Sequence, residues 1–293
     1  MKLPFRTIIT RLTVTGQSSS SSFSSSSSNL TPAESRTRRN SSQESAFTMV
    51  EIAISLAIIA FALVAIIGVL PLGLDVQKEN RQETIINQDA GYFMDAIRNG
   101  ARGLDDLTNY VFAITNSVQA YETTLTTTNP KGSPVIYGYS YFESRRDGAL
   151  TVPQFPLNHG SNIVGILGTP KLIADGPDFF HSNYVVAYVR ALSGSATEKF
   201  PQSDKNVQGL AFSYRMIPEV DPIPSFDTSS SYGKNLQANL NEVRLLFRWP
   251  LLPNGNVGNG RQVYRSLVGG SRTNEPSGSP LWFFQPTTFV NAP

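Results

Sequence analysis

One uninterrupted apolar stretch near the start of the chain dominates the hydrophobic pattern. Residues 52–74 are 23 positions without a charged side chain, and Ser55 is the one polar residue among them. At about 1.5 Å of rise per residue, a helix of this length spans the roughly 30 Å hydrocarbon core of a bilayer. The pattern therefore predicts a transmembrane helix, with a kink or local melting near Pro71, which lies between Gly68 and Gly73.

The helical pattern continues past Asp75, through a polar segment rich in good helix formers. Within this segment an apolar stripe recurs at spacings of four, three and four residues: Ile86, Ala90, Phe93 and Ile97. Asn99 and Gly100 supply a stop signal directly after the stripe. The sequence thus predicts one helix of about 50 residues, apolar all round in its first half and amphipathic in its second.

Beyond Gly100 the pattern changes to the alternation that is typical of half-buried strands. Apolar and polar residues alternate over residues 210–216 and 243–249. Pro250 is expected to end the second strand, and the turn-rich sequence LLPNGNVGNG leads to a return strand over residues 261–268. Two further predicted strands are residues 135–142 and 184–191.

These elements predict an α+β fold, in which a long N-terminal helix packs its amphipathic half on an antiparallel β-sheet. The expected segments are a Ser-rich leader (1–46), a transmembrane and assembly helix (47–74), its amphipathic continuation (75–100), a β-rich domain (101–270) and a Pro/Ser-rich C-terminal tail (271–293).

Charge is distributed unevenly along the 293-residue chain. Residues 1–46 hold six basic and two acidic side chains, a net charge of +4, which leaves −2 for the remainder. A slightly acidic main body lacks the basic surface of a nucleic-acid-binding protein, so nucleic acid is not expected as a partner. The basic flank before the apolar stretch predicts a cytoplasmic N-terminus and an exported C-terminal body.

The length of the apolar stretch argues against an ordinary secretory signal peptide. The apolar stretch is far longer than the roughly 7–15 residues of a secretory signal core, and no small-x-small cleavage site stands out after it.

Ten serines lie between Ser18 and Ser28, interrupted only by Phe23. Such a tract cannot bury enough apolar surface to fold, so we expect a flexible cytoplasmic extension.

The sequence Ala46-Phe47-Thr48-Met49-Val50-Glu51, followed by the apolar stretch, resembles the N-terminal motif of type IV prepilins and type II secretion pseudopilins. The resemblance implies that prepilin peptidase cuts the Ala46–Phe47 bond and that the new amine of Phe47 is methylated. Glu51 becomes the fifth mature residue, which in family filaments pairs with the N-terminal amine of a neighbouring subunit. Ala46 departs from the usual glycine, and the leader is longer than is usual.

The same resemblance implies a pilin-like architecture and a single-pass location in the bacterial inner membrane, with other pilin or pseudopilin subunits as partners. At motif level it covers only about residues 46–100. The hairpin sequence NEVRLLFRWPLLPNGNVGNGRQVYRSLVGG, together with AFALVAIIGVLPLGL, looks like the minor pseudopilin-like proteins of Verru_Chthon-type gene cassettes. The expected role is that of a filament subunit rather than an enzyme.

Glu51 has two interpretations. An acid at the centre of a membrane helix costs roughly 2.5–3.5 kcal/mol, so a carboxylate carried into a helix bundle needs a partner such as a neighbour's amine. Alternatively, Glu51 lies near the cytoplasmic interface, where its carboxylate reaches water at little cost. The surrounding motif favours the first interpretation.

Residues suited to catalysis or metal binding are scarce. Cysteine is absent, and neither His159 nor His181, both expected in loops, stands at a metal-ligand spacing. No G-x-S-x-G elbow is present, so no hydrolytic nucleophile is predicted. Asp175 and Asp178 in ADGPDFF leave a calcium site open as a weak alternative. We expect no cofactor or metal; a single-pass anchored binding protein is the main alternative function, and an anchored enzyme is the least supported.

Overall fold

The computed structural model describes residues 47–124, 127–150, 155–194, 212–224 and 229–291. The predicted cleavage residue Ala46 and the leader lie outside these ranges. The chain divides into two compact units, Met1–Phe61 and Ala62–Pro293. The architecture of the described residues is α+β, as the sequence predicts, with a long N-terminal helix and a large antiparallel sheet.

The first element is helix α1, which spans Met49–Arg98 and is 50 residues long. The prediction of one long helix is therefore confirmed. The helix continues through Pro71, so the expected local melting is wrong. The fixed φ of proline is itself helical, so the helix stays continuous although Pro71 donates no N–H and its ring crowds the carbonyl four residues earlier.

Helix α1 ends in the way that the Asn99-Gly100 signal predicts. Gly100 adopts a positive φ of 53°. Its N–H donates to the carbonyl of Ile97 and the Ala101 N–H donates to the carbonyl of Ala96, each at 3.0 Å. This pair of hydrogen bonds is a Schellman motif, and it satisfies carbonyls that a helix end otherwise leaves unpaired. A side chain at Gly100 would also collide with the backbone carbonyl of Phe284.

Nine strands of the described residues form one sheet. The strands are β1 (Val111–Thr123), β2 (Thr128–Ser140), β3 (Ser144–Arg146), β4 (Ala149–Leu150), β5 (Leu172–Ala174), β6 (Phe179–Arg190), β7 (Ser213–Pro222), β8 (Leu240–Leu251) and β9 (Val257–Gly269). Their order in the sheet is β4-β3-β2-β1-β6-β7-β8-β9, and β5 pairs with β6. Every pairing is antiparallel.

The alternation in the sequence identifies the core face of the sheet. Tyr214 and Met216 of β7 are fully buried, as are Val243, Leu245 and Phe247 of β8. The predicted hairpin is formed by β8 and β9, although β8 continues through Pro250 rather than ending there. The register shifts between Trp249 and Leu251, and this irregularity accommodates a residue that cannot donate to the ladder.

The stripe on α1 packs against this face. Ile86 and Phe93 are fully buried, and Ala90 and Ile97 are 1% exposed. Polar contacts flank the stripe, because the Asn87 side chain accepts hydrogen bonds from Gln262 and Tyr264 of β9. The amphipathic half of the helix therefore completes the hydrophobic core, as predicted.

A buried carboxylate fixes the helix to the end of β6. Asp89 is 1% exposed and accepts hydrogen bonds from the backbone N–H groups of Leu192 (2.9 Å) and Ser193 (3.0 Å) and from the Tyr214 hydroxyl (2.8 Å). Burial raises the pKa of Asp89, and these donated hydrogen bonds offset part of that rise. The network ties α1, β7 and the segment after β6 into one unit.

The C-terminal segment differs from the expected tail. Strands β10 (Ser271–Asn274) and β11 (Trp282–Gln285) form a separate two-stranded sheet. Leu281, Phe283 and Phe284 belong to the hydrophobic core. The Ser, Gly and Pro residues at 276–280 form the turn between the two strands, and their abundance conceals the short apolar strand that follows.

Three short helices complete the described fold. A 3₁₀ helix occupies Asp105–Asn109, helix α2 occupies Gly160–Leu167 and helix α3 occupies Ser231–Asn239. The sequence patterns above predict none of them. Helix α2 is almost entirely buried, and Gly165 lets it approach Leu281 and Phe283 closely.

A chain that begins at Val76 is expected to be soluble and to unfold cooperatively, because the stripe and Asp89 supply the helical part of the core without the apolar stretch. Circular dichroism during thermal unfolding measures whether the transition of this chain is cooperative. A chain that begins at Gly91 loses Ile86, Asp89 and Ala90 and should fail to fold. Aggregation of the Val76 chain in water would contradict the packing described for the amphipathic half.

Candidate functional site

The apolar half of α1 is the most unusual surface of the described chain. Every residue from 47 to 81 is exposed in the part of the chain that the structure describes. By length and composition this is the one helix among the described residues that could cross a membrane. An apolar surface of this size needs lipid or another apolar helix to cover it.

At the start of this helix, Thr48 and Glu51 form a capping box. The Glu51 N–H donates to Thr48 Oγ1 at 3.3 Å, and the Thr48 N–H donates to Glu51 Oε2 at 2.9 Å. The Thr48 hydroxyl also donates to Oε2 at 3.0 Å. The side chain at the N-cap and the acid three residues later thereby satisfy each other's backbone donors, which defines where the helix begins.

The capping box uses only one of the two carboxylate oxygens of Glu51. Among the described residues no donor binds Oε1, while Oε2 accepts two hydrogen bonds. The carboxylate also lies in the first turn, where the helix dipole favours negative charge. Glu51 can therefore cap its own helix and still present an acceptor to a cation on another molecule.

This local role adds a third interpretation of Glu51 to the two drawn from the sequence. The spacing T-x-x-E before an apolar stretch is itself a helix-start signal that could have been read from the sequence. The structure places Phe47 directly before the N-cap with 80% of its surface exposed. Phe47 and Glu51 thus lie together at one helix end, whereas the geometry of the Ala46–Phe47 bond falls outside the described residues.

A cavity of about 470 Å³ lies between the sheet and the β10–β11 segment. Its lining includes four aromatic rings, Tyr137, Tyr139, Phe155 and Trp282, and also His181, and among the described residues it contains no Lys, Arg, Asp or Glu. Burial raises the pKa of Tyr139, which keeps its phenol neutral. A cavity of this size and composition suits a small uncharged ligand.

One polar group in this cavity lacks a partner. Asn183 donates through Nδ2 to the carbonyl of Pro170 (3.0 Å), which turns its Oδ1 towards Asn116 Nδ2 at 3.1 Å. This contact fixes the amide of Asn116 with Nδ2 towards Asn183. The Oδ1 of Asn116 is then buried without a hydrogen bond among the described residues. A buried acceptor without a donor is destabilising, so a water molecule or a ligand hydroxyl would stabilise this site.

Comparison of the chain with protein-family models, with curated proteins and with solved structures found no match. The function is therefore inferred from the chain's own residues.

The two histidines each lie beside an aspartate. His181 lies in strand β6 rather than in a loop, with Nε2 3.1 Å from Asp175 Oδ2. His159 directly precedes α2, with Nδ1 4.0 Å from Asp105 Oδ1. Among the described residues, no three His, Cys, Asp or Glu side chains gather as a metal site requires. Asp175, one of the two acids of the calcium alternative, therefore contacts a histidine side chain.

Proposed function

We propose that this chain is a prepilin-like structural subunit, a minor pseudopilin of a type IV pilus or type II secretion-like filament. The observation that carries the proposal is the apolar half of α1, which is exposed over its whole length among the described residues and has Phe47 and Glu51 at its N-terminal end. A plain anchor needs only the apolar stretch. A stacking helix needs an acceptor for a neighbour's amine in addition, and Oε1 of Glu51, which binds no donor among the described residues, supplies one.

In this proposal the chain is inserted in the bacterial inner membrane with its N-terminus in the cytoplasm and its β-rich body exported. Prepilin peptidase removes residues 1–46, and Phe47 is methylated. Other pilin or pseudopilin subunits then replace lipid around residues 52–74. No catalytic step is assigned to the chain, and its partners are membrane lipid, the peptidase and neighbouring subunits.

Cleavage after Ala46 is expected in a host that contains prepilin peptidase. Intact-mass analysis of the membrane-purified protein should show the loss of residues 1–46 and the addition of one methyl group. The variant Ala46→Arg should stay at full length, because a large charged side chain replaces the small residue before the cut, while Ser45→Ala should be processed normally. A mature N-terminus at Met1 in the unmodified protein would refute the processing step.

The alternative is a single-pass anchored protein whose exported body binds a ligand. The cavity beside Asn116 and Trp282 favours this alternative, because it is of ligand size and holds an unpaired acceptor. A binding protein of this kind needs neither cleavage nor contact between helices. Processing at Ala46 and helix-to-helix crosslinking therefore distinguish the two functions.

A further inference from the structure

Three arginines lie side by side on the sheet face opposite α1. Arg215 of β7 pairs in register with Arg248 of β8, and Arg248 pairs with Arg261 of β9. Directly opposed residues of antiparallel strands point to the same face. Because neighbouring strands lie about 4.8 Å apart, the three Cα atoms span roughly 10 Å. We call these three residues the arginine row.

The arginine row has no anionic partner in the described chain. None of its three side chains forms an ion pair with a described residue. The Nε atoms of Arg215 and Arg248 are buried and form no hydrogen bond with the described residues. Like charges placed directly opposite on neighbouring strands are destabilising, so the row reduces the stability of the isolated sheet.

The same face shows how the chain neutralises arginine elsewhere. Arg244, four residues from Arg248 on the same strand, contacts Glu219 at 3.5 Å and Glu242 at 3.0 Å. Arg265, four residues from Arg261, also pairs with Glu242. Two glutamates therefore neutralise the row that contains Arg244 and Arg265, whereas the arginine row forms no ion pair with a described glutamate. The apolar row of Ile217, Leu246 and Val263 lies between these two rows on the same face, so the positive charge of the arginine row is localised at one end of the strands.

We propose that the arginine row binds a ligand with two adjacent phosphate groups. Each guanidinium presents a planar fork of N–H donors that matches phosphate oxygens. One carboxylate would neutralise one of the three charges, whereas two phosphates carry about −2 when both are diesters and about −3 to −4 when both are terminal, and so offset two or more of the three charges. Tyr188, which pairs with Arg215 on β6, adds an aromatic ring at one end of the row. This site is independent of the proposed filament role.

Pyrophosphate is the direct probe, used with the full-length protein in an uncharged maltoside detergent. Titration calorimetry should show saturable binding that weakens as salt is added. Arg248→Gln, at the centre of the row, and Arg261→Gln, at its exposed edge, should each weaken binding at least tenfold. Arg244→Gln is the matched control in the neutralised row and should change the affinity less than twofold.

Thermal unfolding separates ligand binding from a structural role. Arg248→Gln should unfold at the same or a higher temperature than the unmodified protein, because it removes a like-charge contact. A large fall in unfolding temperature for both Arg248→Gln and Arg261→Gln would instead assign the row to the fold and overturn the proposal.

The two phosphates could come from a free diphosphate compound or from a lipid headgroup. Native mass spectrometry of the same sample with added cardiolipin, and with phosphatidylcholine as control, distinguishes these sources. Cardiolipin adducts that disappear in Arg248→Gln and are displaced by pyrophosphate identify a lipid source. Pyrophosphate binding without such adducts identifies a free compound. If neither probe binds, or if binding is unchanged in Arg248→Gln and Arg261→Gln, the proposal is wrong.

Discussion

Replacement of Asp89 by asparagine is expected to lower the free energy of unfolding by about 3 kcal/mol. The carboxylate accepts hydrogen bonds from Leu192, Ser193 and Tyr214, and all three partners are donors. An amide of the same shape has only one oxygen, so its NH₂ group faces at least one of these donors. A buried N–H then loses its acceptor, which is more costly than the loss of an exposed hydrogen bond.

Denaturant unfolding of the chain that begins at Val76 measures the difference in free energy of unfolding between Asp89→Asn and the unmodified sequence. Asp95 is an exposed acid on the same helix, so Asp95→Asn is the matched control and should change stability by less than about 0.5 kcal/mol. Tyr214→Phe removes one of the three donors and should cost less than Asp89→Asn. Equal stability of Asp89→Asn and Asp95→Asn would show that the buried carboxylate does not fix α1 to the sheet.

The second large effect is expected at Glu51, where glutamine should leave membrane insertion intact but impair assembly. Glutamine at the third helical position still completes a capping box with Thr48, and a neutral residue is cheaper in lipid than an acid. What disappears is the counter-ion for the amine of a neighbouring Phe47. Breaking such a buried pair typically costs about 3–5 kcal/mol, so contact between helices should weaken by two orders of magnitude or more.

Disulfide crosslinking through one introduced cysteine measures contact between neighbouring helices without background, because the sequence contains no other cysteine. Glu51→Asp should be intermediate, since the charge remains on a shorter side chain. Thr48→Ala is the complementary control: it removes the cap, at about 1 kcal/mol, while it keeps the acid, so it should assemble. Normal crosslinking of Glu51→Gln would favour the anchored binding protein. Failure of Thr48→Ala alone would assign Glu51 to capping.

The long helix could be predicted because its signals are local. A 23-residue apolar stretch, a stripe at helical spacing and an Asn-Gly stop each act within a few residues. The hairpin of β8 and β9 was predictable for the same reason, since the alternation of Val243 to Trp249 is regular. Such patterns record which face of an element is buried, which is the information that the sequence carries most directly.

Other parts of the fold depend on contacts between distant segments. The arginine row exists only because the register brings three strands together, and the spacing within each strand gives no sign of it. Asn116 lacks a partner only because Pro170 fixes the orientation of Asn183. His181 was expected in a loop, yet its strand is defined by pairing with β1 and β5. The capping box, in contrast, was local and could have been predicted.

The burial of Leu281, Phe283 and Phe284 has a consequence for the order in which this protein can be made. These residues are among the last 13 of the chain, yet they lie against α2 and against the end of α1. During vectorial synthesis, the helix emerges early, and its apolar half can enter the bilayer long before the core is complete. The body must then remain open until β11 has been synthesised, so the native core is completed after membrane entry rather than together with it.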